Sequence, residues 1–332
     1  MKKILIIILL IIIAVFAFYN SNEKTAIQKE LKNFAVEDTS AVNKVFFADR
    51  FNNTVTLVRS NGKWLVENKY PVRPDAIEYL LKTMSALEVK HPVSNSMHDK
   101  IIKNLSTSAV KVEIFTDDMD NASKTYYVGG ETKDMIGSYM ILENSSRAFA
   151  VYIPGFNGFL APRYNIDGTV VSVDLWRNRN IFNFKSEEIK SVSVKNNDDD
   201  AESFKIYIED GDYYFTKNNT TKQIPIRNGK QYFELFKKVN CEGFMNDFSK
   251  KDSIFNSQPF HEITIEDVNN NFTTLLSYHK EPEREEYLQI DGKKQEYDVD
   301  RMYAKFEDDL MLIQFYVFDN ILLQSPQFNV EK

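Results

Sequence analysis

Residues 54–66, which read TVTLVRSNGKWLV, carry the strongest local fold signal in the chain. Two runs with alternating apolar and polar residues, Thr54 to Arg59 and Lys63 to Glu67, flank the dipeptide Asn61-Gly62. An Asn-Gly pair in this position favours a two-residue type I′ turn, because both of its residues tolerate positive φ angles. The segment therefore predicts an antiparallel β-hairpin.

The residues around this hairpin predict a regular order of elements. A strand is expected before it, around Val45 to Phe47. After it, Pro74 opens a helix, because apolar residues recur there at i, i+3, i+4 and i+7, the spacing of one helical face. That apolar face consists of Ile77, Leu80, Leu81 and Met84. The further expected elements are a helix near His98 to Leu105 and strands at Val110 to Phe115, Thr125 to Val128, Tyr139 to Leu142 and Phe149 to Ile153.

The second half of the chain repeats this order, with Asp210-Gly211 in the place of Asn61-Gly62. Self-similarity in which several elements recur in the same order indicates an internal duplication. The matching elements are strands at Ile189 to Val194, Phe204 to Ile208 and Asp212 to Phe215, a helix with Tyr232, Leu235, Phe236 and Val239 on one face, and strands at Glu262 to Glu266 and Met302 to Ala304.

We therefore expect an α+β protein, with two tandem copies of a hairpin, helix and antiparallel-strand unit behind an N-terminal membrane helix. Gly and Pro are concentrated between the two halves, which is typical of a domain boundary. The expected organisation is a signal anchor or signal peptide at 1–19, a stalk at 20–33, a first α+β repeat at 34–153, a linker or seam at 154–181 and a second α+β repeat at 182–332.

Composition restricts the class of protein and the class of partner. The chain has 332 residues, 43% of them hydrophobic and 27% charged, which is typical of globular domains with a sizeable core. Its formal net charge of −7 disfavours nucleic acids and anionic lipid headgroups as partners. Cys241 is the single cysteine, which excludes an intrachain disulfide and a cysteine-rich structural zinc site.

The N-terminus predicts attachment to a membrane. Lys2 and Lys3 precede an unbroken apolar run from Ile4 to Phe18, which ends at Tyr19. This run is either a retained signal anchor, in the membrane through residues 4–19, or a signal peptide cleaved after Ala17. Both alternatives place the rest of the chain across the membrane, because the lysines stay in the cytoplasm. We expect a single-pass protein of the cytoplasmic membrane whose bulk is periplasmic or otherwise extracytoplasmic.

Five short motifs together resemble one known family. They read NGKW at 61–64, YPVRPDA at 70–76, TYYVGG at 125–130, IPGF at 153–156 and WRNRNIF at 176–182. In this set the chain resembles the domain of unknown function 4340 family, in its Bacteroidota-type envelope form. The resemblance implies a one-pass or signal-bearing envelope protein. It also implies an accessory role, because some members of that family are encoded beside ABC-transporter permeases.

The sequence predicts no catalytic residue, no cofactor and no metal ligands. The four histidines lack the spacing of zinc ligands, and His261-Glu262 opens an alternating strand rather than a zinc-protease helix. Surface or strand-edge positions are expected for them. Cys241 has no neighbouring base in the sequence that would make it a nucleophile.

The segment around the boundary is the candidate partner-binding surface. Aromatic and arginine side chains there follow a loop rich in Gly and Pro, and such side chains dominate binding hot spots. The alternative is that they seal the seam between the two repeats. The candidate residues are Phe156, Phe159, Arg163, Tyr164, Trp176 and Arg177.

The function expected from these patterns is that of a non-enzymatic, membrane-anchored accessory or scaffold subunit of an envelope complex. Its expected partners are envelope membrane proteins, with an ABC-transporter permease as one candidate. The alternative is an enzyme that acts on an envelope polymer through a carboxylate pair. The accessory role is favoured over the enzymatic one.

Overall fold

A computed structural model describes residues 32–282, 289–290, 293–294 and 296–322. The predicted membrane segment at 1–19 and all but the last two residues of the predicted stalk lie outside the described residues. Within the described ranges, no helix is both long enough and apolar enough to cross a membrane. The chain divides into two compact units, the first ending at Asn178 and the second beginning at Arg179.

The first unit is built on one antiparallel sheet of nine strands in the order β4-β3-β2-β1-β6-β7-β8-β9-β5. Strand β1 pairs with β2 on one side and with β6 on the other. The strands are β1 Lys44–Ala48, β2 Thr54–Ser60, β3 Lys63–Val66, β4 Tyr70–Pro71, β5 Glu88–Pro92, β6 Val110–Phe115, β7 Lys124–Glu131, β8 Ser138–Leu142 and β9 Phe149–Tyr152.

The second unit contains a nine-stranded antiparallel sheet in the order β14-β13-β12-β11-β17-β18-β21-β22-β16, besides the two-stranded pairs β10-β15 and β19-β20. Its strands are β10 Asn180–Phe182, β11 Ile189–Asn196, β12 Phe204–Glu209, β13 Asp212–Lys217, β14 Thr220–Ile224, β15 Val239–Asn240, β16 Gly243–Phe244, β17 His261–Asp267, β18 Phe272–Tyr278, β19 Gln289–Ile290, β20 Lys293–Lys294, β21 Arg301–Phe306 and β22 Asp309–Gln314.

The two nine-stranded sheets have corresponding strand orders. In each sheet the first four strands follow one another in reverse chain order, from β4 to β1 in the first and from β14 to β11 in the second. The strand at the opposite edge, β5 or β16, comes from earlier in the chain than the strand beside it, β9 or β22. Asn61-Gly62 joins β2 to β3, and Asp210-Gly211 joins β12 to β13 at the corresponding place. All four turn residues have positive φ angles, as a type I′ turn requires.

Helices are few and mostly short. Pro74 occupies the first turn of α1, where its fixed φ angle suits the helix and its missing N–H group leaves no bond unmade. The helices are α1 Pro74–Ser85, α2 Asn95–Ser108, α3 Val173–Trp176, α4 Ile226–Glu234, α5 Lys251–Phe255 and α6 Phe315–Phe318, with 3₁₀ turns at Thr39–Ala41, Ala161–Tyr164, Ser186–Glu188, Asp200–Glu202 and Leu235–Lys237.

The two longer helices of the first unit pack on opposite faces of its sheet. The buried side chains of α1, among them Leu80 and Met84, join the main core with Phe47 and Met140. On the other face, Leu105 of α2 belongs to a smaller cluster with Tyr139 and Ile141. A Cβ atom at residue 129 would clash with Leu105, so Gly129 permits the close approach of α2 to β7. In the second unit, Phe233 and Phe236 pack with the buried face of the sheet.

The expected α+β class is wrong, because the described residues form mostly antiparallel β-sheet with few short helices. Local periodicity predicted one long helical face through Val239 in the second half. The α-helix ends at Glu234, a 3₁₀ turn follows, and Val239 lies in β15. Several strands, such as β5 and β16, lack a strong local signal and become strands by pairing with residues distant in sequence. Tertiary pairing therefore outweighed local propensity.

The β2–β3 turn offers a direct test of the first unit. We expect Gly62→Val to lower the free energy of unfolding by about 1–2 kcal/mol, because a β-branched residue is strained at the φ of 76° found there. Urea unfolding followed by tryptophan fluorescence measures this effect, since Trp64 and Trp176, the two tryptophans of the chain, both lie in the first unit. Gly130→Val is the matched control, because residue 130 lies in β7 with open space around its Cβ position. Equal losses in the two variants would contradict the positive-φ explanation.

Candidate functional site

The loop after β9 is held in place by hydrogen bonds to the start of β8. The backbone N–H of Gly137 donates to the carbonyl of Gly158 at 2.9 Å. The N–H of Leu160 donates to the side-chain oxygen of Ser138 at 3.0 Å, and Ser138 itself is buried. These bonds position residues 156–163 against the sheet. The loop therefore presents its side chains from a preformed backbone.

Two of the predicted binding residues, Tyr164 and Trp176, lie in the core of the first unit. Both side chains are fully buried. The Tyr164 hydroxyl lies 2.9 Å from the Tyr126 hydroxyl, and burial raises the pKa of both groups. The Trp176 ring packs against Phe47 with 5.3 Å between ring centroids. Segment 154–178, most of the expected linker or seam at 154–181, is therefore packed into the first unit, and these two rings stabilise it.

Arg177 is also buried, beside α3. Its guanidinium lies 3.3 Å from the Asp174 carboxylate and 3.7 Å from the centre of the Tyr70 ring. Backbone bonds on both sides join this segment to the first sheet, since Arg73 donates to Trp176 and Asn178 donates to Pro71. Arg177 thus fastens α3 to β4, which is a structural role.

The remaining candidates form a cluster at the surface. Arg163 lies with its guanidinium carbon 4.9 Å from the centre of the Phe156 ring and 5.5 Å from that of Tyr79. Phe156 and Phe159 are half-buried and pack against the main core, whereas Tyr79 is 55% exposed. We call Tyr79, Phe156 and Arg163 the Arg163 surface. It joins the loop after β9 to the outer side of α1.

The Arg163 surface contains two of the predicted residues and one that the pattern did not single out. Tyr79 stands in α1 between the buried Ile77 and Leu80, but off the apolar face of the helix. A large aromatic residue on the polar side of an amphipathic helix is a signal that could have identified it. Its proximity to Arg163 follows only from the tertiary fold.

A cavity of about 360 Å³ lies beside Lys124. The Lys124 ammonium donates to the backbone carbonyls of Asn33 and Ala35, and burial lowers its pKa. The amine is thus engaged by the protein itself. No group of three or more His, Cys, Asp or Glu side chains within the described ranges has the geometry of a metal site.

The second unit contains a polar cluster with two histidines, His261 and His279. His261 is almost fully buried, unlike the surface or strand-edge position expected for it. Its Nδ1 lies 3.4 Å from the Ser277 hydroxyl, whereas the Asp198 carboxylate lies 2.7 Å from Nε2 of His279. A serine nucleophile needs one histidine that contacts both the serine and the carboxylate. Here the two contacts belong to different histidines, so the cluster lacks the triad arrangement.

The buried His261 predicts a pH dependence of stability. Burial lowers its pKa from 6.5 to about 4; the nearby Asp198 opposes this shift and His279 adds to it. Because the folded pKa lies below the unfolded one, the stabilisation is complete above pH 6.5 and is lost as the pH falls toward 4. We expect a loss on the order of 2 kcal/mol between pH 7 and pH 5.

The loss of stability between pH 7 and pH 5 should be much smaller in His261→Gln. Reactivity of Cys241 toward dithiodipyridine in increasing urea measures it, since this thiol is buried in the second unit. His91→Gln, at an exposed histidine, is the control and should behave like the unsubstituted chain. An equal loss in His261→Gln would show that other groups cause the pH dependence.

Comparison with known proteins identifies the family of the chain. The chain has no significant match among curated proteins or among solved structures. The family model "Domain of unknown function (DUF4340)" matches residues 64–258, which is more than half of the chain. This match includes most of the motifs on which the resemblance rested, and it contains the whole Arg163 surface. The chain therefore belongs to the DUF4340 family.

Proposed function

We propose that the protein is a non-enzymatic, membrane-anchored accessory subunit of an envelope complex, and that it binds an envelope membrane protein through the Arg163 surface. The observation that carries this proposal is an arginine held between the loop after β9 and α1, next to an exposed tyrosine. Tyr and Arg are among the residues that contribute most to binding hot spots. The surface is also preformed, so little ordering entropy would be lost on binding.

The anchoring part of the proposal rests on the N-terminal sequence. The apolar run Ile4 to Phe18 follows Lys2 and Lys3, which favours a cytoplasmic N-terminus and an extracytoplasmic remainder. An anchored subunit is confined to the plane of the bilayer, which raises its effective concentration toward a membrane-bound partner. An ABC-transporter permease is one candidate partner, because the family resemblance implies such an association.

The alternative of a carboxylate-pair enzyme receives no specific support. Two neighbouring carboxylates raise the pKa of one of them by mutual repulsion. Among the described carboxyl groups, Asp319 has a raised pKa. Burial is the cause of that shift, and no second carboxylate contributes to it. The accessory role is therefore the better supported of the two.

The anchor predicts an intact N-terminus in the mature protein. Mass spectrometry of the protein purified from membranes should find peptides that contain residues 4–18. The protein should also stay in the membrane fraction after washing with high salt and alkaline carbonate, because an apolar segment is held by the hydrocarbon core. A mature chain that begins near Phe18 would contradict the anchor but would keep the extracytoplasmic compartment.

The binding surface predicts a position-specific crosslink. We expect the full chain with photoreactive benzoylphenylalanine in place of Tyr79 to crosslink to an envelope protein on illumination of intact membranes. The same probe in place of Phe51 is the control, since Phe51 is 53% exposed and also lies beside an arginine, 4.6 Å from Arg50. Crosslinks of equal yield at both positions would indicate nonspecific contact and would contradict the proposal.

Truncation at this surface should weaken binding without unfolding the protein. We expect Tyr79→Ala to lower the affinity for the crosslinked partner about tenfold, or ~1.4 kcal/mol, since the lost ring belongs to the contact. Phe51→Ala is the matched control, and co-purification in mild detergent measures both. Melting curves by tryptophan fluorescence should be unchanged, because the Tyr79 side chain is mostly exposed. A lowered melting temperature with unchanged binding would show that the ring serves only the fold.

A further inference from the structure

The guanidinium group of Arg163 is fixed by a two-step hydrogen-bond chain. Its Nε–H donates to the Thr83 hydroxyl at 2.7 Å. The Thr83 hydroxyl in turn donates to the backbone carbonyl of Tyr79 at 2.6 Å, inside α1. Thr83 is fully buried, so its hydroxyl has one fixed orientation and both of its roles are filled. The plane of the guanidinium is therefore set by the protein before any ligand arrives.

The two terminal nitrogens of Arg163 remain available. Within the described residues no acceptor bonds to them, and the only hydrogen bond of the side chain is the one through Nε. Two other arginines in the first unit, Arg50 and Arg73, use their terminal nitrogens internally. Arg73 pairs with Asp75, and Arg50 donates to the carbonyl of Thr107. Arg163 thus combines a fixed plane, two flanking aromatic rings and a free double-donor edge.

We infer that Arg163 is the receptor for a carboxylate of the partner protein, which accepts two parallel hydrogen bonds from the terminal nitrogens. This inference rests on the proposed function and names the chemical group that the Arg163 surface recognises. Paired N–H donors of a guanidinium match the two oxygens of a carboxylate in spacing and direction. The Tyr79 and Phe156 rings lie 5.5 Å and 4.9 Å from the guanidinium carbon, so they would cover part of this pair and strengthen it over an open surface pair.

A protein carboxylate fits this position better than a lipid phosphate or a polyphosphate. The whole chain carries a net charge of −7, which repels strongly anionic surfaces. Asp75 and Glu78, both exposed, lie on the same helix as Tyr79. A single guanidinium in such surroundings suits a ligand with one negative charge, such as an Asp or Glu side chain. We therefore expect the partner to present an acidic residue at the centre of its contact.

The test uses zero-length crosslinking in the full chain. Arg163→Lys keeps the positive charge and introduces a primary amine at this position. A water-soluble carbodiimide then joins this amine to any carboxylate in direct contact with it. We expect an isopeptide adduct between position 163 and an Asp or Glu of the envelope protein that the Tyr79 photoprobe identifies. Arg50→Lys is the matched control and should give no adduct with that protein.

Two results would overturn the inference. One is an adduct only with carboxylates of this chain, such as Asp75 or Glu78, or of a second copy of it. The other is no adduct at position 163 while the Tyr79 photoprobe still captures the partner, in which case the proposed function stands without a carboxylate contact. Loss of the photoprobe adduct as well would refute the proposed function, and with it the inference.

A second pair of variants tests the orientation of the guanidinium. Thr83 is a positioning residue, because its hydroxyl orients the Arg163 guanidinium. Thr83→Val removes this acceptor of the Nε–H bond, whereas Thr83→Ser keeps it. We expect partner affinity to fall about fivefold in Thr83→Val, the size of one hydrogen bond, and to recover in Thr83→Ser. Equal affinities in these two variants, with unchanged tryptophan melting curves, would contradict the positioning role.

Discussion

The burial of Tyr164 and Trp176 is the constraint on which the candidate surface depends. Together with the buried Leu160, Ile166 and Val171, these two rings anchor the chain between β9 and the second unit in the core of the first unit. The Tyr126–Tyr164 hydroxyl pair satisfies both polar groups in the interior, which avoids the cost of a buried unpaired hydroxyl. Because residue 164 is held there, the 3₁₀ turn Ala161–Tyr164 and the arginine within it have a fixed position.

In the Arg163 surface, the fold orders a long side chain in advance of the binding proposed for it. A free arginine at a surface has several rotatable bonds, and ordering them on binding costs free energy. Here the Thr83 hydroxyl and the rings of Phe156 and Tyr79 restrict the side chain in advance. The contrast with Arg177 is instructive, because that guanidinium is buried against Tyr70 and serves the fold. Arg163 and Arg177 thus differ in burial and in what their guanidinium groups contact.

The two units share a strand order but differ in the connection that carries the Arg163 surface in the first unit. In the first sheet, β9 is followed by the loop that leads to Arg163; in the second, the corresponding strand β22 is followed directly by α6. The sheet is thus a common framework, and the function proposed here belongs to a connection present in the first unit. This agrees with the general rule that function resides in sites carried by a fold rather than in the fold itself.

Much of the local structure follows from the sequence alone. The Asn61-Gly62 and Asp210-Gly211 turns, the helix that begins at Pro74 and the strand Val110–Phe115 are encoded by nearby residues, through φ preferences and apolar spacing. The segments rich in aromatic and arginine residues were also evident. The proportion of sheet was not, because strands such as β5 and β16 are formed by pairing with residues distant in sequence.

The division of roles among the candidate residues was decided by the tertiary structure. The sequence gives no reason to separate Phe156, Arg163, Tyr164 and Trp176, since all four belong to one segment rich in aromatic and basic residues. Only packing against the sheet buries the last two and leaves the first two near the surface. Tyr79 is more than 80 residues away from Arg163 and meets it only because α1 and the loop after β9 lie on the same face of the sheet. The sequence by itself determined turns, periodicity and composition, which are short-range properties; burial and side-chain proximity are long-range and required the folded chain.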